Sequence, residues 1–459
     1  MIGIKGVGMT MLAQFLAAQK IEIIGSDTEE KFMTDEVLKR AGVKVIERFH
    51  ENNVPADADL IIYSTAYNVE RNVEVAKALN QNKIRVLTYA QALGEIFNEK
   101  YGIAVAGSHG KTTTTAWLAF VMQKSGLEPN AMVGSTVPQF EGPSITGNSD
   151  YLVVEADEYQ NKLQYFNPKI ALLNNIDYDH PDFFSSFLDY VDVFLKFIQK
   201  IPKKGFLVAN FDDPVIRKYA GVNCVCEVVS YGVETHRGDS LKNYDFIAYD
   251  LNEEHGRQYF KVKMQNDENY EELGQFNITL PGVHNVYNAL AVIAACVNLE
   301  IPLLSLRTSL AEFSGTKRRM EIMGEFNKAV IIDDYAHHPT EIKATLNGIR
   351  QMYPNNKLTV VFHPHTFTRT KVLLDDFAAS FDRADEIIIL DIYGSAREKQ
   401  GGVHSRDLVE KIRTRKKDAK YISTLSECEN YLRQNAGREE VILLMGAGDV
   451  FRVGENLIK

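Results

Sequence analysis

Short runs of hydrophobic residues alternate with longer amphipathic stretches along most of the chain. Short apolar runs with polar borders are typical of buried parallel strands, and apolar residues three and four positions apart are typical of helices. The alternation therefore predicts an α/β protein with mostly parallel sheets. Strands are predicted at 21–27, 43–46, 60–63, 84–87, 102–106, 151–155, from 170, and at 206–210, 278–282, 329–333, 358–362, 386–390 and 441–445. A further strand is predicted to begin at Met1 and to run into a helix over 12–18.

The chain is too long for one compact core. Its 459 residues predict two to four domains. The polar stretch 98–101 is interpreted as a linker, and a second boundary is placed before a glycine and a basic cluster near 315. The predicted domains are therefore 1–98, 99–314 and 315–459.

A glycine loop between the strand 102–106 and a following helix predicts a nucleoside triphosphate site. Small residues let backbone N–H groups approach phosphates, the helix N-terminus adds positive potential, and a lysine reaches the outer phosphates. Val105 stands where the usual first glycine would be, so the match to the common phosphate-loop pattern is incomplete. The candidate residues are Gly107, Ser108, His109, Gly110, Lys111, Thr112 and Thr113.

Carboxylates follow the strand 151–155 and predict a magnesium site. Glu155 ends that strand, and a carboxylate at such a position near phosphates typically binds Mg²⁺ together with a loop hydroxyl, here that of Thr112. His180 follows the next strand and could bind a second metal, although a structural role is at least as common for such a histidine. Solvated loop charges are expected at Asp157, Glu158 and Asp182.

The start of the chain has a second glycine loop. Its spacing differs from that of nicotinamide-binding loops, so any diphosphate-bearing ligand is an equally good interpretation. The candidate residues are Gly3, Gly6, Val7 and Gly8 in the loop, Asp27 near a sugar hydroxyl, and Ser64 after the strand 60–63.

Polar clusters at helix starts and strand ends supply the remaining candidates. Three polar residues within one turn of a helix start either cap the helix or bind a ligand. These are His284, Asn285 and Asn288, whereas the basic pair Arg318 and Arg319 could reach across to a nucleotide. Clusters after the C-terminal strands are expected to converge on one cleft, with Asp334, Tyr335, His337, His338, His365 and Arg369 as its candidates.

The composition limits the classes of binding partner and the cellular location that are expected. A net charge of −10 argues against nucleic-acid binding and against anionic membranes. The four cysteines lack zinc-site spacing, and no apolar stretch predicts stable membrane insertion or a signal peptide. A cytoplasmic location is expected.

Nine motifs in this order resemble the Mur ligases of peptidoglycan synthesis over nearly the whole chain. They are IGIKGVGM, GSHGKTTTT, EADEY, NNIDYDH, LPGVHNVYNALA, FSGTKRRME, DDYAHHPTEI, HPHTFTRT and MGAGD. The resemblance implies three domains: a Rossmann-like UDP-substrate domain, a central ATPase domain and a Rossmann-like amino-acid domain.

The resemblance also implies ATP-dependent amide formation through an acyl phosphate, with UDP-N-acetylmuramate, L-alanine and ATP as substrates. Lys111 would hold the outer phosphates, Thr112 and Glu155 one Mg²⁺, and His180 a second. His284, Asn285 and Asn288 would lie on the adenosine side, and Arg318 or Arg319 would contact the γ-phosphate. Asp334, Tyr335, His337 and His338 would line the junction of ATP and substrate, and Arg369 would bind the alanine carboxylate. The first glycine loop and Asp27 would bind the UDP part.

Alternatives within and beyond the family remain open at this point. The motifs expected to contact the amino acid and the UDP group favour alanine addition. The EADEY region slightly favours a ligase that recycles a whole tripeptide. Many alanine-adding relatives have an arginine in place of Thr366 and a glycine in place of Lys5. Lys5 could reach the diphosphate or face solvent. A folylpolyglutamate synthetase-type enzyme, an ATP-binding switch protein and a dehydrogenase are weaker alternatives, and a monomer or weak homodimer is expected.

Overall fold

The computed structural model describes residues 1–81, 83–234, 244–266, 269–394 and 401–459. Three α/β units follow one another along the chain. The predicted α/β class with a large, mostly parallel central sheet is confirmed. The exact domain boundaries stay a prediction.

The N-terminal unit is Rossmann-like. It contains α1 (Val7–Ala18), β1 (Ile24–Asp27), α2 (Asp35–Arg40), β2 (Lys44–Glu47), β3 (Leu60–Tyr63), α3 (Val73–Asn80), β4 (Arg85–Thr88) and α4 (Tyr89–Glu99). The parallel pairs β1–β2 and β3–β4 are joined by Ile2, which bridges Ser26 on one side and Tyr63 on the other. The strand predicted from Met1 is therefore reduced to one bridging residue. Gly3, with φ of +77°, turns the chain out of the sheet at once.

The central unit is built on a ten-stranded sheet. It contains β5 (Tyr101–Ala106), α5 (Lys111–Lys124), β6 (Asn130–Val137), β7 (Gly142–Ile145), β8 (Tyr151–Glu155), β9 (Ile170–Leu173), α6 (Phe187–Ile198), β10 (Phe206–Asn210), α7 (Pro214–Asn223), β11 (Glu227–Val233), β12 (Phe246–Glu254), β13 (Arg257–Asn266), β14 (Asn269–Ile278), α8 (Val283–Asn298) and α9 (Leu303–Glu312). The strand order is β14-β13-β12-β11-β10-β9-β5-β8-β6-β7.

The strand predicted over 278–282 is wrong beyond its first residue. β14 ends at Ile278, since Pro281 has no N–H to donate and Gly282, with φ of +91°, begins the turn into α8. Short 3-10 turns lie at Glu51–Asn53, Pro138–Phe140 and Tyr159–Tyr165.

The C-terminal unit has a six-stranded sheet in the order β15-β16-β20-β17-β18-β19. It contains β15 (Glu321–Phe326), β16 (Ala329–Asp334), α10 (Pro339–Met352), β17 (Lys357–Phe362), α11 (Phe367–Val372), α12 (Leu374–Ala378), β18 (Glu386–Ile389), α13 (Ser405–Thr414), β19 (Asp418–Tyr421), α14 (Leu425–Asn435), β20 (Glu440–Met445) and α15 (Phe451–Leu457). Only β15 is antiparallel to its neighbour, and the other pairs are parallel.

Parallel strands present their carboxyl ends, and the loops that follow, at one edge of a sheet. The loops after β5, β8 and β9 meet at such an edge of the central sheet, and contacts of these loops with residues that follow β16 and β17 join them to the C-terminal sheet. Within the described part of the chain, no helix combines the length and apolarity needed to cross a membrane.

Candidate nucleotide and substrate site

The phosphate loop runs from the end of β5 into α5 and is held by the segment after β9. Gly107 and Gly110 have φ angles of +133° and +78°, which favour glycine. The Asn175 side chain accepts a hydrogen bond from the His109 backbone N–H at 2.8 Å. A Cβ at Gly110 would lie 2.5 Å from Asn288 Oδ1. Because α5 has no side-chain N-cap, the loop keeps the backbone donors of an anion site.

Lys111 folds back over this loop. Its ammonium donates to the carbonyls of Gly107 at 2.5 Å and Ser108 at 3.0 Å, and to Glu158 Oε2 at 2.8 Å. Burial alone would lower the pKa of Lys111, but the neighbouring carboxylates, Glu158 foremost, raise it. The residue is therefore a fixed positive charge at the phosphate loop.

Thr112 and Glu155 form the expected pair. Thr112 Oγ1 donates to Glu155 Oε1 at 2.9 Å, and the Gly134 backbone N–H donates to Glu155 Oε2 at 2.7 Å. Burial raises the pKa of Glu155, and Lys111 and these hydrogen bonds oppose the rise. A hydroxyl and a carboxylate beside a phosphate loop are the oxygen donors that Mg²⁺ prefers, so the residues present fit that ion. Thr113, the next residue, lines the adjoining cavity.

His180 and Glu158 lie on the other side of Lys111. His180 Nε2 is 3.6 Å from Glu158 Oε1, and its ring packs on Tyr159 with 4.5 Å between centroids. Asp157, Glu158 and His180 each offer a ligand atom within 4.8 Å of the others. The expectation that Glu158 is solvated is wrong. It is 1% exposed and accepts hydrogen bonds from Lys111 and the Tyr190 hydroxyl.

A cavity of about 870 Å³ adjoins the phosphate loop and extends to the start of α8. His284, Asn285 and Asn288 line it. Asn288 donates to Asn285 Oδ1 at 3.1 Å, Asn285 donates to the Pro281 carbonyl at 2.7 Å, and burial lowers the pKa of His284 to about 4. A neutral imidazole and two amides in a pocket of this size suit an uncharged, hydrogen-bonding group such as a nucleoside.

The two neighbouring arginines have separate places. Arg318 is buried against the C-terminal sheet, where it donates to Asp333 Oδ2 at 3.0 Å and to the Gly446 carbonyl at 2.8 Å. Arg319 lines the cavity, and its guanidinium lies 5.2 Å from the Tyr335 ring centroid. Both arginines thus flank Tyr335, but only Arg319 belongs to the cavity wall.

Asp334 also reaches the cavity. Its Oδ1 accepts from the Ala336 N–H at 2.8 Å and from Thr345 at 3.1 Å, and its Oδ2 accepts from the Met320 N–H at 2.8 Å. The carboxylate therefore fixes the turn that carries Arg319.

The C-terminal unit contacts the segment after β9 through Arg369. The Arg369 Nε donates to Asp179 Oδ1 at 2.7 Å, and Arg369 is 2% exposed. His365 Nδ1 lies 3.3 Å from Arg369 Nη1, and His337 Nε2 lies 3.9 Å from Asp179 Oδ2. The predicted acceptor-binding residues therefore meet beside His180. Thr366 holds the start of α11, where it accepts from the Arg369 N–H at 3.4 Å.

A second contact joins the phosphate loop itself to α10. His109 Nδ1 is 3.2 Å from Glu341 Oε1, and His109 Nε2 is 3.0 Å from Asp177 Oδ2. His338 packs beside His109 with 4.9 Å between ring centroids, and its Nε2 is 3.2 Å from the Tyr178 carbonyl. Carboxylates of both units hold the pKa of His109 near 9 against the opposing effect of burial.

The N-terminal glycine loop belongs to a different unit of the chain. Gly3, Gly6, Val7 and Gly8 form it, α1 begins at Val7 without a side-chain cap, and the Ser64 N–H bonds the Ile2 carbonyl beside it. Asp27 is turned inward: it accepts from the Lys5 N–H at 2.7 Å and from the Tyr67 hydroxyl at 3.1 Å.

Neither position expected for the Lys5 ammonium is observed. Lys5 is 2% exposed, and its Nζ donates to the carbonyls of Thr28 and Glu30 at 2.9 Å and to Glu47 at 3.2 Å. It anchors the loop after β1.

Sequence reasoning did not single out several residues that hold the site together. They are Asn175, Asp179 and Glu341, and Glu158 was expected only as a solvated charge. A signal was present for Glu341, which stands three residues after His338 as the last member of a capping box at the start of α10. Nothing in the spacing predicts that its second oxygen reaches His109.

A phosphate loop, an adjacent hydroxyl–carboxylate pair and a C-terminal unit facing them define a three-domain, nucleotide-dependent α/β enzyme. Residues 1–101 match the model described as Mur ligase family, catalytic domain; residues 105–296 match that of the Mur ligase middle domain, and 318–448 that of the Mur ligase, glutamate ligase domain. The chain belongs to the Mur ligase family, as the resemblance of its motifs predicts.

Relatives of similar sequence carry the name UDP-N-acetylmuramate–L-alanine ligase. That of Desulfitobacterium hafniense strain Y51 is 38% identical, covering 100% of this chain and 98% of the relative, and that of Acetivibrio thermocellus is 39% identical, covering 100% and 95%. The crystal structure of the UDP-N-acetylmuramate–alanine ligase from Thermotoga maritima aligns with a TM-score of 0.82 at 25% identity, covering 100% of this chain and 97% of that one. A murein peptide ligase from Psychrobacter arcticus has the same fold, with a TM-score of 0.74 at 24% identity and the same coverage.

Proposed function

We propose that this enzyme joins L-alanine to the lactyl carboxylate of UDP-N-acetylmuramate with ATP, in the synthesis of peptidoglycan precursors. The observation that carries this proposal is full-length similarity, at 38–39% identity, to ligases of that name. The placement of Lys111, Thr112 and Glu155 on one side and Arg369 on the other supports it, because the two substrates must meet between them.

Carboxylates do not react with amines until one oxygen becomes a good leaving group. In the proposed reaction a carboxylate oxygen attacks the γ-phosphorus of ATP and ADP leaves. The amine of L-alanine then attacks the carbonyl carbon, and phosphate leaves as the amide forms. Charge on the transferring phosphoryl group must be neutralised throughout, and Lys111 and Arg319 are the cations we assign to this task.

Mur ligases are ATP-dependent and typically use Mg²⁺. A bound Mg²⁺ supplies neutralisation of phosphate charge. We assign one ion to Thr112 and Glu155, and a second to His180 with Asp157 and Glu158, whose ligand atoms lie close together. His284, Asn285 and Asn288 are assigned to the nucleoside because they line the cavity beyond the loop.

Arg369 is assigned to the carboxylate of L-alanine. A guanidinium can bind a carboxylate through two parallel hydrogen bonds, and Asp179 already uses its Nε. Arg369→Lys keeps the charge beside Asp179 but loses the planar fork. We expect it to raise the KM for L-alanine about 10-fold or more with a smaller change in kcat. An unchanged KM with a large loss of kcat would contradict this role.

The UDP part is assigned to the uncapped start of α1 and its loop of Gly3, Gly6, Val7 and Gly8, with Ser64 at its edge. Because Asp27 is buried in hydrogen bonds to the loop, we assign it to holding that loop in shape, in place of the direct sugar contact suggested by sequence.

The decisive experiment measures phosphate release from MgATP with UDP-N-acetylmuramate and one acceptor at a time: L-alanine, glycine, L-serine or L-Ala-γ-D-Glu-meso-diaminopimelate. Release that depends on L-alanine is expected. Release with the tripeptide alone would identify a recycling ligase, and no release with any acceptor would refute the proposed substrate pair. A cytoplasmic location and a monomeric or weakly dimeric state remain predictions, which fractionation and sedimentation test.

A further inference from the structure

Three potential metal ligands from two domains converge beside the phosphate loop. They are His109 Nε2 and Asp177 Oδ2 of the central unit and His338 Nδ1 of the C-terminal unit, and all three atoms lie within 4.8 Å of one another. The two imidazole nitrogens are 3.0 Å and 3.5 Å from the same carboxylate oxygen. Ligands of a tetrahedral ion with bonds of about 2.0–2.1 Å lie roughly 3.4 Å apart, so little movement would be needed.

Each histidine has an inner ring nitrogen that faces Asp177 and an outer ring nitrogen that points away from it. The hydrogen bond of the outer nitrogen determines whether the inner nitrogen carries a proton or a lone pair. His338 Nε2 lies 3.2 Å from the Tyr178 carbonyl, which only accepts, so this nitrogen carries the proton. His338 Nδ1 then directs a lone pair at the Asp177 carboxylate. It accepts only a long, 3.4 Å hydrogen bond from the Thr340 N–H.

The same reasoning applies to His109. Its Nδ1 lies 3.2 Å from Glu341 Oε1, so this nitrogen donates and Nε2 turns toward Asp177. A histidine whose outer N–H is held by a carboxylate or a backbone carbonyl is the usual arrangement of a metal-bound histidine. Asp177 is itself oriented by the Thr340 hydroxyl, which donates to Oδ2 at 2.6 Å.

Electron-rich atoms brought this close need a shared cation. A proton on His109 Nε2 accounts for one of the two contacts, the one of 3.0 Å to Asp177 Oδ2. The 3.5 Å contact of His338 Nδ1 with the same oxygen has no proton of its own, because the ring proton of His338 lies on Nε2 beside the Tyr178 carbonyl. A single proton therefore leaves the His338 contact unsatisfied, whereas one metal ion satisfies both.

We propose that His109, Asp177 and His338 form a site for a divalent transition-metal ion such as Zn²⁺ or Co²⁺, bridging the phosphate loop and the C-terminal domain. Two imidazoles and one carboxylate favour these ions over Mg²⁺, which prefers oxygen ligands. The site is distinct from the Thr112–Glu155 pair and from the His180 cluster and shares no residue with them. An ion here would tie the phosphate loop to the C-terminal domain.

The test titrates Co²⁺ into the full-length, chelator-stripped protein in excess Mg²⁺, and follows the visible absorption of bound Co²⁺. We expect one Co²⁺ per chain at this site. His338→Gln and His109→Gln should each weaken this binding at least 10-fold. They should also abolish the rise in melting temperature that Co²⁺ causes in the wild type.

Two controls separate this site from others. His180→Gln removes the histidine of the other cluster and should leave the band and its affinity unchanged, and so should His255→Gln, an exposed histidine in a turn. If His338→Gln does not fold, Asp177→Asn, which keeps the side-chain shape, replaces it. Wild-type affinity in the His109 and Asp177 variants, or loss of all Co²⁺ binding in His180→Gln, would overturn the proposal.

Discussion

Two glycine loops in this chain each lead into an uncapped helix, and each contains or precedes a lysine. The first turns at Gly3, with φ of +77°, and leads into α1; the second turns at Gly110, with φ of +78°, and leads into α5. Both therefore offer backbone N–H groups to an anion. Their local geometry gives no reason to treat the two lysines differently.

The difference lies in where the partners of each lysine come from. Lys5 bonds acceptors that are 23, 25 and 42 positions away, all within the N-terminal unit. Lys111 bonds carbonyls only four and three positions before it, together with Glu158. Turning Lys111 toward a ligand breaks two local contacts and one ion pair with Glu158, whereas turning Lys5 outward would release the loop after β1. We infer that a lysine beside a glycine loop is available to a ligand only where the surrounding domain does not need the contacts of that lysine for its stability.

The largest expected effect is on Lys111. Lys111→Met removes the fixed charge at the phosphate loop, and we expect kcat to fall about 10³-fold, the upper range for loss of one electrostatic group. Steady-state phosphate release measures it, and circular dichroism with a melting curve checks the fold. Near-normal kcat in a folded variant would remove the distinction drawn between the two lysines.

The second largest effect is expected from an alanine substitution at one glycine of the phosphate loop, compared with the same substitution in the first loop. Gly110→Ala forces alanine into a left-handed conformation and places its Cβ 2.5 Å from Asn288 Oδ1. The strain costs about 1–2 kcal/mol, and we expect nucleotide affinity to fall roughly 10-fold. Gly6 has φ of −61°, and its Cβ would meet only the Gly3 carbonyl at 3.8 Å.

Gly6→Ala should therefore leave both the melting temperature and nucleotide affinity unchanged. Calorimetric titration with a non-hydrolysable ATP analogue compares the two variants. Equal losses of affinity would contradict the claim that the backbone conformation and close packing at Gly110 require glycine for nucleotide binding.

The sequence predicts the strands that carry these loops better than the side chains within them. β3, β8 and β10 match their predicted bounds, because a run of only four to eight residues that is mostly apolar is typical of a buried strand. The hairpins of β12, β13 and β14 were not predicted, because residues along much of β12 alternate between partly and fully exposed positions and resemble a polar loop.

Contacts that depend on backbone turns or on distant segments could not be predicted. Arg318 and Arg319 are neighbours in sequence, but Arg318 has a φ of +60°, so one guanidinium is buried while the other reaches the cavity. Arg369 meets Asp179 across 190 positions. Motif order predicts that such residues belong to one site, but only the packing of two domains decides which carboxylate each of them meets.

Lys5→Met tests the other half of the comparison. Removal of the buried ammonium leaves two carbonyls and Glu47 without their donor, and we expect a loss of about 2 kcal/mol in the free energy of unfolding. Lys39→Met, an exposed change on α2, is the matched control and should have almost no effect. Urea unfolding followed by circular dichroism gives both values, and nucleotide affinity should be unchanged in both variants. A Lys5 variant as stable as the control would show that the anchor is dispensable.

The smallest expected effect concerns the tyrosine that covers the first loop. The Tyr67 hydroxyl donates to Asp27 Oδ1 at 3.1 Å, and the ring lies where a Cβ at Gly3 would approach to 2.6 Å. Tyr67→Phe keeps the ring and removes one hydrogen bond, while Asp27 retains its bonds to the backbone of Lys5 and Thr28. We expect a loss of about 0.5–1 kcal/mol, to be measured beside Lys5→Met and in the double variant. Because both residues stabilise one loop through Asp27 and its surroundings, the two losses should not add. If the two losses in the free energy of unfolding add strictly, Lys5 and Tyr67 stabilise the loop independently of each other. The contrast with the phosphate loop would then depend on Lys5 alone.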